Sequence, residues 1–506
     1  MHSLIFVPFF SLKTTTAIEK KFIKKKGNSY LIKSAGKAVF NSVTKLNQNK
    51  LKRIKIFVGP GNNGSDGLFL ASFLIRKKYK VDIHLFQKSK LNHQKIINEL
   101  DLVNYIVPEK DISCSHCTLI IDALFGTGLN RIIKSNFSKI IDEINSSKKY
   151  VVSIDIPSGL NSETGECLNK AVNSNLTCTL ISLKKGLFTK KGRDFWDSID
   201  NYPLINEKIN TNNYLFSLTK LVNYKIYSSS KKILSSKNIS FGKSFDTHKN
   251  SFGKSLIIGG GNNFFGALLI AGQSSLKTGT RYVELITTKK HAELLPLNQP
   301  EFITSSYNDA TFYEKLNNYN NLLFGPGLGQ SKWSKDIFSK LCNFLQKKNN
   351  LRNIIFDADA LNLLSEKPFK NDKWILTPHP GEAAKLLGTN TKNIQEDRFT
   401  AIVELQKKYG GIIVLKGSGT LIQTPKNNTY ICLHGNEGMA TAGMGDCLGG
   451  IILSTTNLVK DKVDAVLFGT GIHSLAADQL EKNKGTIGIL ATDVIEKCSS
   501  LLNLKS

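Results

Sequence analysis

Arginine is scarce in this chain. Of its 68 basic residues only seven are arginines, and the others are lysines spread among many asparagines. Nucleic-acid recognition leans on the planar guanidinium and on aromatic stacking platforms, and the formal net charge of +28 brings neither an arginine-rich helix nor interleaved aromatics. A compositional drift toward lysine and asparagine accounts for the charge, so nucleic acid is not an expected partner. Small phosphate-bearing ligands would still be attracted. Long apolar runs are missing too: nothing approaches the roughly 20 apolar residues of a membrane span. The start, MHSLIFVPFF, is apolar but has no basic segment and no small-residue cleavage site, so it does not read as a signal peptide. The eight cysteines fall at irregular spacings. Cys114 and Cys117 are the one close pair, without a second pair at zinc-site spacing, so reduced thiols and a cytoplasmic protein without membrane contact are expected.

At 506 residues the chain is too long for one core, and 41% hydrophobic with 21% charged residues suits a soluble globular protein of two or three domains. Helical spacing runs from Ala17 to Leu46. A βαβ unit follows: strand Ile54–Val58, a glycine turn from Gly59 to Gly64, helix Asp66–Lys78 and strand Val81–Phe86. Gly59, Gly61 and Gly64 satisfy GxGxxG, the dinucleotide fingerprint. Two details weaken a dehydrogenase reading. The second strand ends in Phe86-Gln87-Lys88, with no acid to hold a ribose, and Asn62, Asn63 and Asp66 crowd the turn with polar side chains.

Two more strands stop at an acid. Thr118–Ile121 ends at Asp122, and Val151–Ile154 ends at Asp155, followed by Ile-Pro-Ser158-Gly. Ligands of open parallel sheets bind beyond the carboxyl ends of strands, so Asn63, Asp122, Asp155 and Ser158 are expected around one crevice. Oxygen ligands alone suit a hard cation, and a strand-end aspartate in a cleft is a reasonable acid/base. Taken singly, each residue also reads as an Asx-turn or a cap.

GPGNNGSDG, DALFGTGLNR and IDIPSGLNSETG, in that order over residues 15–217, resemble the motifs of the YjeF N-terminal family, the NAD(P)H-hydrate epimerases. The resemblance implies a Rossmann-like three-layer α/β/α domain that interconverts the R and S forms of hydrated NADH or NADPH. Motif by motif, it implies a hydrate site at Asn62, Asn63, Gly64, Ser65 and Asp66 and at Gly126, Thr127, Gly128, Leu129, Asn130, Arg131 and Ile132. It also implies a potassium ion on Asn63, Asp122 and Ser158, with Asp155 as acid/base. Ser65 stands where the family usually has glycine and adds a Cβ at a position of close approach. Some relatives of this fold serve as RNA-processing scaffolds; the retained aspartates favour an enzyme.

A Ser/Lys/Asn-rich stretch, 218–240, reads as a linker and the entry to a second domain, 241–506. There, hydrophobic strands again end in glycine-rich or acidic loops: Ser255–Ile258, Val283–Ile286, Asn321–Phe324, Ile354–Phe356, Trp374–Leu376 and Ile412–Leu415. This is a second parallel α/β layer fold. The last strand runs into Lys416-Gly417-Ser418-Gly419-Thr420, which suits a phosphate cradle and also reads as a hairpin turn. Last comes the turn Ala442-Gly443-Met444-Gly445, then Asp446 and an apolar helix from Cys447 to Ser454. A helix start with small residues before it is an anion hole. A carboxylate at its mouth repels the anion, which makes sense if Asp446 takes a proton from an attacking hydroxyl. The plainer reading is an N-cap aspartate.

HKNSFGK, GPGLG, DADALNLL, TPHPGEAAKLLG, VLKGSGTLI and GNEGMATAGMGD together resemble the ADP/ATP-dependent NAD(P)H-hydrate dehydratases, a ribokinase-like family. The resemblance implies hydrate contacts from Ala267, Gly327, His379 and Asp446. It places a nucleotide, ADP or ATP with Mg2+, on Lys416, Gly417, Ser418, Gly419, Thr420 and Gly445. Fused behind the epimerase domain of 1–217, it implies a two-step repair of hydrated cofactor, with a homo-oligomer left open. A ribokinase-like small-molecule kinase with a non-catalytic N-terminal binding domain is the alternative, and a scaffold binding RNA through its lysines is another.

Overall fold

The computed structural model describes residues 2–86, 91–205, 211–218, 224–226, 235–239, 254–347 and 349–503. They form two compact units, and the chain visits each more than once. One contains Pro8–Asn213 and Leu221–Leu234; the other contains Met1–Val7, Tyr214–Lys220 and Ser235–Ser506.

The unit containing Pro8–Asn213 is built on an eight-stranded sheet. Its order is Tyr224–Ile226, Trp196–Tyr202, Ser174–Leu180, Tyr150–Ile154, Leu119–Ala123, Ile54–Val58, Val81–Leu85, Ile106–Val107, and the neighbours pair in parallel. Ile54–Val58 and Leu119–Ala123 are buried along their whole length, as central strands covered on both faces must be. Strand order reverses between these two, so the crevice expected of an open α/β sheet opens at their carboxyl ends. The helical stretch expected from Ala17 to Leu46 is two helices, Leu12–Lys26 and Asn28–Val43, interrupted where Gly27 takes φ 87°, a conformation that favours glycine. The next helix starts earlier than Asp66, at Asn62. Both asparagines of the glycine turn therefore belong to its first turn, whose N–H groups Gly61 cannot cap with a side chain.

The other unit holds a twelve-stranded sheet. Its parallel part runs Ile303–Ser306, Val283–Thr287, Ser255–Ile258, Asn321–Phe324, Asn353–Phe356, Trp374–Leu376, Ile412–Leu415. Leu421–Gln423 and Thr429–Cys432 continue it antiparallel, followed by Asn213–Ser217, His2–Pro8 and Ser235–Ile239. The apolar N-terminus is thus a strand of this sheet, although the sequence reading assigns all of 1–217 to the other domain. Leu4 packs into this unit's core with Phe216 and Ile422. HKNSFGK lies outside the described residues except for Lys254, as does most of the 218–240 linker. Helices Phe265–Lys277 and Met444–Leu458 cover the sheet and touch closely: a Cβ on Gly450 would stand 2.1 Å from the Ala271 carbonyl oxygen.

Among the described residues, no helix is long and apolar enough to cross a membrane.

Candidate active sites

Backbone meets backbone at the switch point of the eight-stranded sheet. A Cβ on Gly59 would lie 1.8 Å from the Leu124 carbonyl oxygen, and one on Gly64 would lie 2.1 Å from that of Gly59. Glycine is required at both positions, and the turn and the loop after Leu119–Ala123 close around a cavity of about 600 Å3. Asn62, Asn63, Asp66, Gly126, Thr127, Gly128, Leu129, Asn130, Arg131 and Asp155 line it. Gly64, Ser65 and Ile132 do not. Gly64 and Ser65 are buried within the helix, and Ile132 is 71% exposed. The side chain that Ser65 adds does not occupy the cavity wall.

Asp155 takes φ 69°, a left-handed conformation that surrounding contacts must hold for a non-glycine residue. Those contacts are visible: its Oδ1 accepts from the Leu180 N–H at 3.1 Å and pairs with Lys184 Nζ. Lys184 Nζ donates as well to Thr179 Oγ1 at 3.1 Å and to the Leu180 carbonyl. Glu19, from the helix Leu12–Lys26, lines the same cavity. Burial and the charge of Asp155 push both Glu19 and Asp66 above the ordinary carboxylate range, against the pull of Lys184. Lys184 is paired with Asp155, and its charge also reaches Glu19 and Asp66. Neither Glu19 nor Lys184 carries a motif; each arrives from an element remote in sequence.

Beside the cavity, Asp122 is fully buried. Its Oδ1 lies 2.6 Å from Ser158 Oγ and accepts from the Leu124 N–H, while Oδ2 accepts from Ser153 Oγ and the Ser158 N–H. Ser158 Oγ accepts from the Phe125 N–H and lies 3.2 Å from the Phe125 carbonyl oxygen. Asn63 is buried with neither side-chain Oδ1 nor Nδ2 hydrogen-bonded, against Gly126. Asp122 and Ser158 therefore sit together, and the loop that Ser158 bonds through Phe125 continues into Gly126, against which the unpartnered Asn63 amide lies.

In the twelve-stranded unit the loops after three parallel strands converge. Lys416 Nζ lies 2.7 Å from Asp357 Oδ1 and 3.8 Å from Glu382 Oε2. Asp357 Oδ2 is buried without a partner. Asp446 sits in the first turn of Met444–Leu458, capped by Gly443 at φ 86°, so this helix starts before the Cys447 expected from sequence. A Cβ on Gly445 would be 3.3 Å from Lys416 Nζ, and one on Gly449, a turn later, 3.3 Å from Asp357 Oδ2. The small-residue face of the helix thus admits the ion pair. Burial, with the charge of Asp357, pushes the Asp446 carboxyl up to about 7, although Lys416 pulls it down. Glu382 is pushed up to about 7 by the same kind of burial.

Lys416–Thr420 proves to be a hairpin loop, since Leu415 pairs with Leu421; that does not remove its use as a cradle. Gly417 and Gly419 take φ of 135° and 62°. Gly327 and Ala267 adjoin, a Cβ on the first coming 3.1 Å from that of the second. His379 caps the helix Pro380–Leu387: its Nδ1 accepts from the N–H groups of Gly381 and Glu382, and the Glu382 carboxylate accepts from the His379 N–H. Its side chain is still 55% exposed. Asp357 and Glu382 lie within motifs visible in the sequence, but nothing there ranks them above their neighbours.

A family model described as YjeF-related protein N-terminus matches residues 28–186, and one described as NAD(P)H-hydrate dehydratase matches residues 255–500. The chain is 35% identical to the bifunctional NAD(P)H-hydrate repair enzyme Nnr of Coxiella burnetii, over 93% of this chain and 94% of that one. It is 33% identical to the enzyme of that name from Escherichia coli, over 88% and 84%. Among solved structures, it is similar to an ADP/ATP-dependent NAD(P)H-hydrate dehydratase from Bacillus subtilis co-crystallised with ATP and Mg2+, at 24% identity and a TM-score of 0.45, covering 52% of this chain and 93% of that one. With both domains matched in order and a relative this similar along nearly its whole length, the chain belongs to the family of bifunctional NAD(P)H-hydrate repair enzymes.

Proposed function

We infer that the chain restores hydrated NADH and NADPH in two reactions, one in each unit. In the cavity containing Asp155, the R and S hydrates interchange. The carbon bearing the added hydroxyl also bears the ring nitrogen, so loss of water is assisted by the nitrogen lone pair, and water returning to the opposite face gives the other epimer. Asp155 moves the proton, and Lys184 holds its carboxylate in place. Asn63, whose side-chain oxygen is unpartnered, would hold a potassium ion together with Asp122 and Ser158, and the ion when bound would supply positive charge next to Asn63.

In the other unit Asp446 takes the proton of the added hydroxyl in the S hydrate. The freed oxygen attacks the terminal phosphoryl of ADP or ATP, and AMP or ADP leaves. The N–H groups at the helix start, around Gly443–Gly445, neutralise developing charge. Phosphate then departs as the C–O bond breaks, the ring nitrogen supplies electrons, and the neighbouring carbon gives up a proton to restore the dihydropyridine. Phosphorylation turns a poor leaving group into a good one. Ala267, Gly327 and His379 are assigned to the hydrate, and Lys416–Thr420 with Gly445 to the nucleotide, whose phosphates would carry Mg2+.

The observation that carries this reading is Asp446 itself: a carboxyl pushed up to about 7 in the first turn of a helix, with Lys416 beside it. Mixing the full chain with epimerised NADH hydrate, ADP and potassium should regenerate the absorbance of the reduced ring and release phosphate. A stable phosphorylated product without NADH would instead mark a kinase.

A further inference from the structure

Arg398 is 3% exposed in a chain with few arginines, and it stands in the middle of the Lys416–Thr420 loop. One guanidinium nitrogen, Nη1, donates to the carbonyl oxygens of Ser418 at 2.5 Å and Gly419 at 3.3 Å; the other, Nη2, donates to those of Leu415 and Lys416, each at 3.1 Å. Between them, the carbonyl of Gly417 accepts from Thr420 Oγ1 at 3.1 Å. Five consecutive carbonyls are thus engaged. A trans peptide points its N–H opposite to its C=O. Fixing the carbonyls of Lys416, Ser418 and Gly419 inward on the guanidinium therefore turns the N–H groups of Gly417, Gly419 and Thr420 the other way. Successive outward N–H groups in a turn make an anion-binding concavity. Burial lowers the Arg398 guanidinium to about 10, so it stays charged at neutral pH, and its four contacts here are to neutral carbonyls.

We propose that Arg398 is a positioning residue for the nucleotide: it folds the loop around its planar fork so that the backbone amides of Gly417, Gly419 and Thr420 present themselves to phosphate, with a fixed positive charge behind them. The inference rests on the reading of Lys416–Thr420 as the nucleotide cradle. A lysine at this position keeps the charge but cannot span four carbonyls, so charge and geometry separate. Gly417 provides a second handle, because a Cβ there would come 3.1 Å from Nη2 at a φ of 135°, pushing the loop off the guanidinium while leaving the arginine itself unaltered.

The test uses the full chain and compares Arg398→Lys, Gly417→Ala and Thr420→Ala. The Michaelis constants for ADP and for S-hydrate and the calorimetric dissociation constant for ADP are measured for each. Arg398→Lys should weaken ADP by roughly 10-fold or more while leaving the constant for hydrate within about twofold, and Gly417→Ala should behave the same way. If Gly417→Ala and Thr420→Ala leave ADP binding unchanged, the loop is not the cradle and the underlying reading fails. If those two weaken ADP but Arg398→Lys does not, the positioning role is wrong. Equal weakening of ADP and hydrate in Arg398→Lys would reduce the residue to general support of the fold and overturn the proposal. Should Arg398→Lys fail to fold, amide hydrogen exchange of residues 416–420 decides: protection by ADP in the unaltered chain, lost in Gly417→Ala, upholds it, and protection unaffected by Gly417→Ala refutes it.

Discussion

Above neutral pH the Asp446 carboxylate is charged, largely buried and close to the charge of Asp357. The direction of its effect on stability follows. A carboxyl whose folded-state value, about 7, lies above the ordinary 3.8 favours the folded state at low pH and loses that contribution as pH rises through 7. Asp446→Asn should therefore stabilise the chain at pH 8 by on the order of 2 kcal/mol. The gain should shrink as pH falls and be gone below the unfolded value; urea unfolding at pH 8, 5 and 3.5 would measure it. The same substitution should lower the dehydration rate by on the order of 10²-fold or more, because the proton acceptor is lost. In the unaltered chain, dehydration should fall off on the acid side of an apparent pKa near 7, since Asp446 and Glu382 both lie close to that value. A flat profile from pH 5.5 to 8.5 would remove Asp446 from the role of base. For Asp155 the expected outcome is a separation of activities. Asp155→Asn should slow R/S exchange by roughly 10²-fold while pure S-hydrate is dehydrated at the ordinary rate; loss of both would tie the two reactions to a single site.

Helices that touch through glycine have little room for change. A Cβ on Gly450 would meet Ser274 Oγ at 2.0 Å and the Ala271 carbonyl oxygen at 2.1 Å, and the second of these is backbone that cannot rotate aside. Gly450→Ala should cost about 1–3 kcal/mol, typical of overpacking, and should slow dehydration as well, since the same helix carries Asp446 one turn earlier. Thermal melting together with the dehydration rate checks both halves. Elements of this kind were legible in the sequence wherever a hydrophobic strand ran into a glycine or an acid: Asp122, Asp155, the Lys416 loop and the Asp446 turn all lie at element boundaries, where local chemistry writes its own signal. Ser158 and Asp122 meet at 2.6 Å as the strand-end argument required. Glu19, Lys184 and Arg398 were not legible, because each does its work across the fold and nothing in its local spacing differs from that of an ordinary helix or loop residue. Ile132 shows the opposite failure. It continues a motif in sequence, yet the chain has already left the cavity by that point and the side chain faces solvent.

The route of the chain as a whole was the least visible feature. A run such as His2–Pro8 announces a strand but not which sheet will take it, because strand pairing is decided by contacts far apart in sequence. Here it pairs antiparallel with Ser235–Ile239 and neighbours Asn213–Ser217, so the first residues of the chain complete the sheet that supports Asp446. Leu4 is fully buried there, in the same cluster as Phe216, Ile422 and Cys447. Leu4→Ala should leave a cavity costing about 2–5 kcal/mol, borne by the unit that dehydrates the S hydrate. Heating the variant and assaying both reactions would separate the units. The temperature of half-inactivation should fall by several degrees for dehydration and stay near its ordinary value for R/S exchange, whose cavity draws its lining from Leu12 to Leu204. An equal fall in both, or a fall in exchange alone, would mean that the strand's stabilising contacts belong elsewhere. Since Leu4 touches no part of either reaction, a selective effect can only come from the sheet it joins.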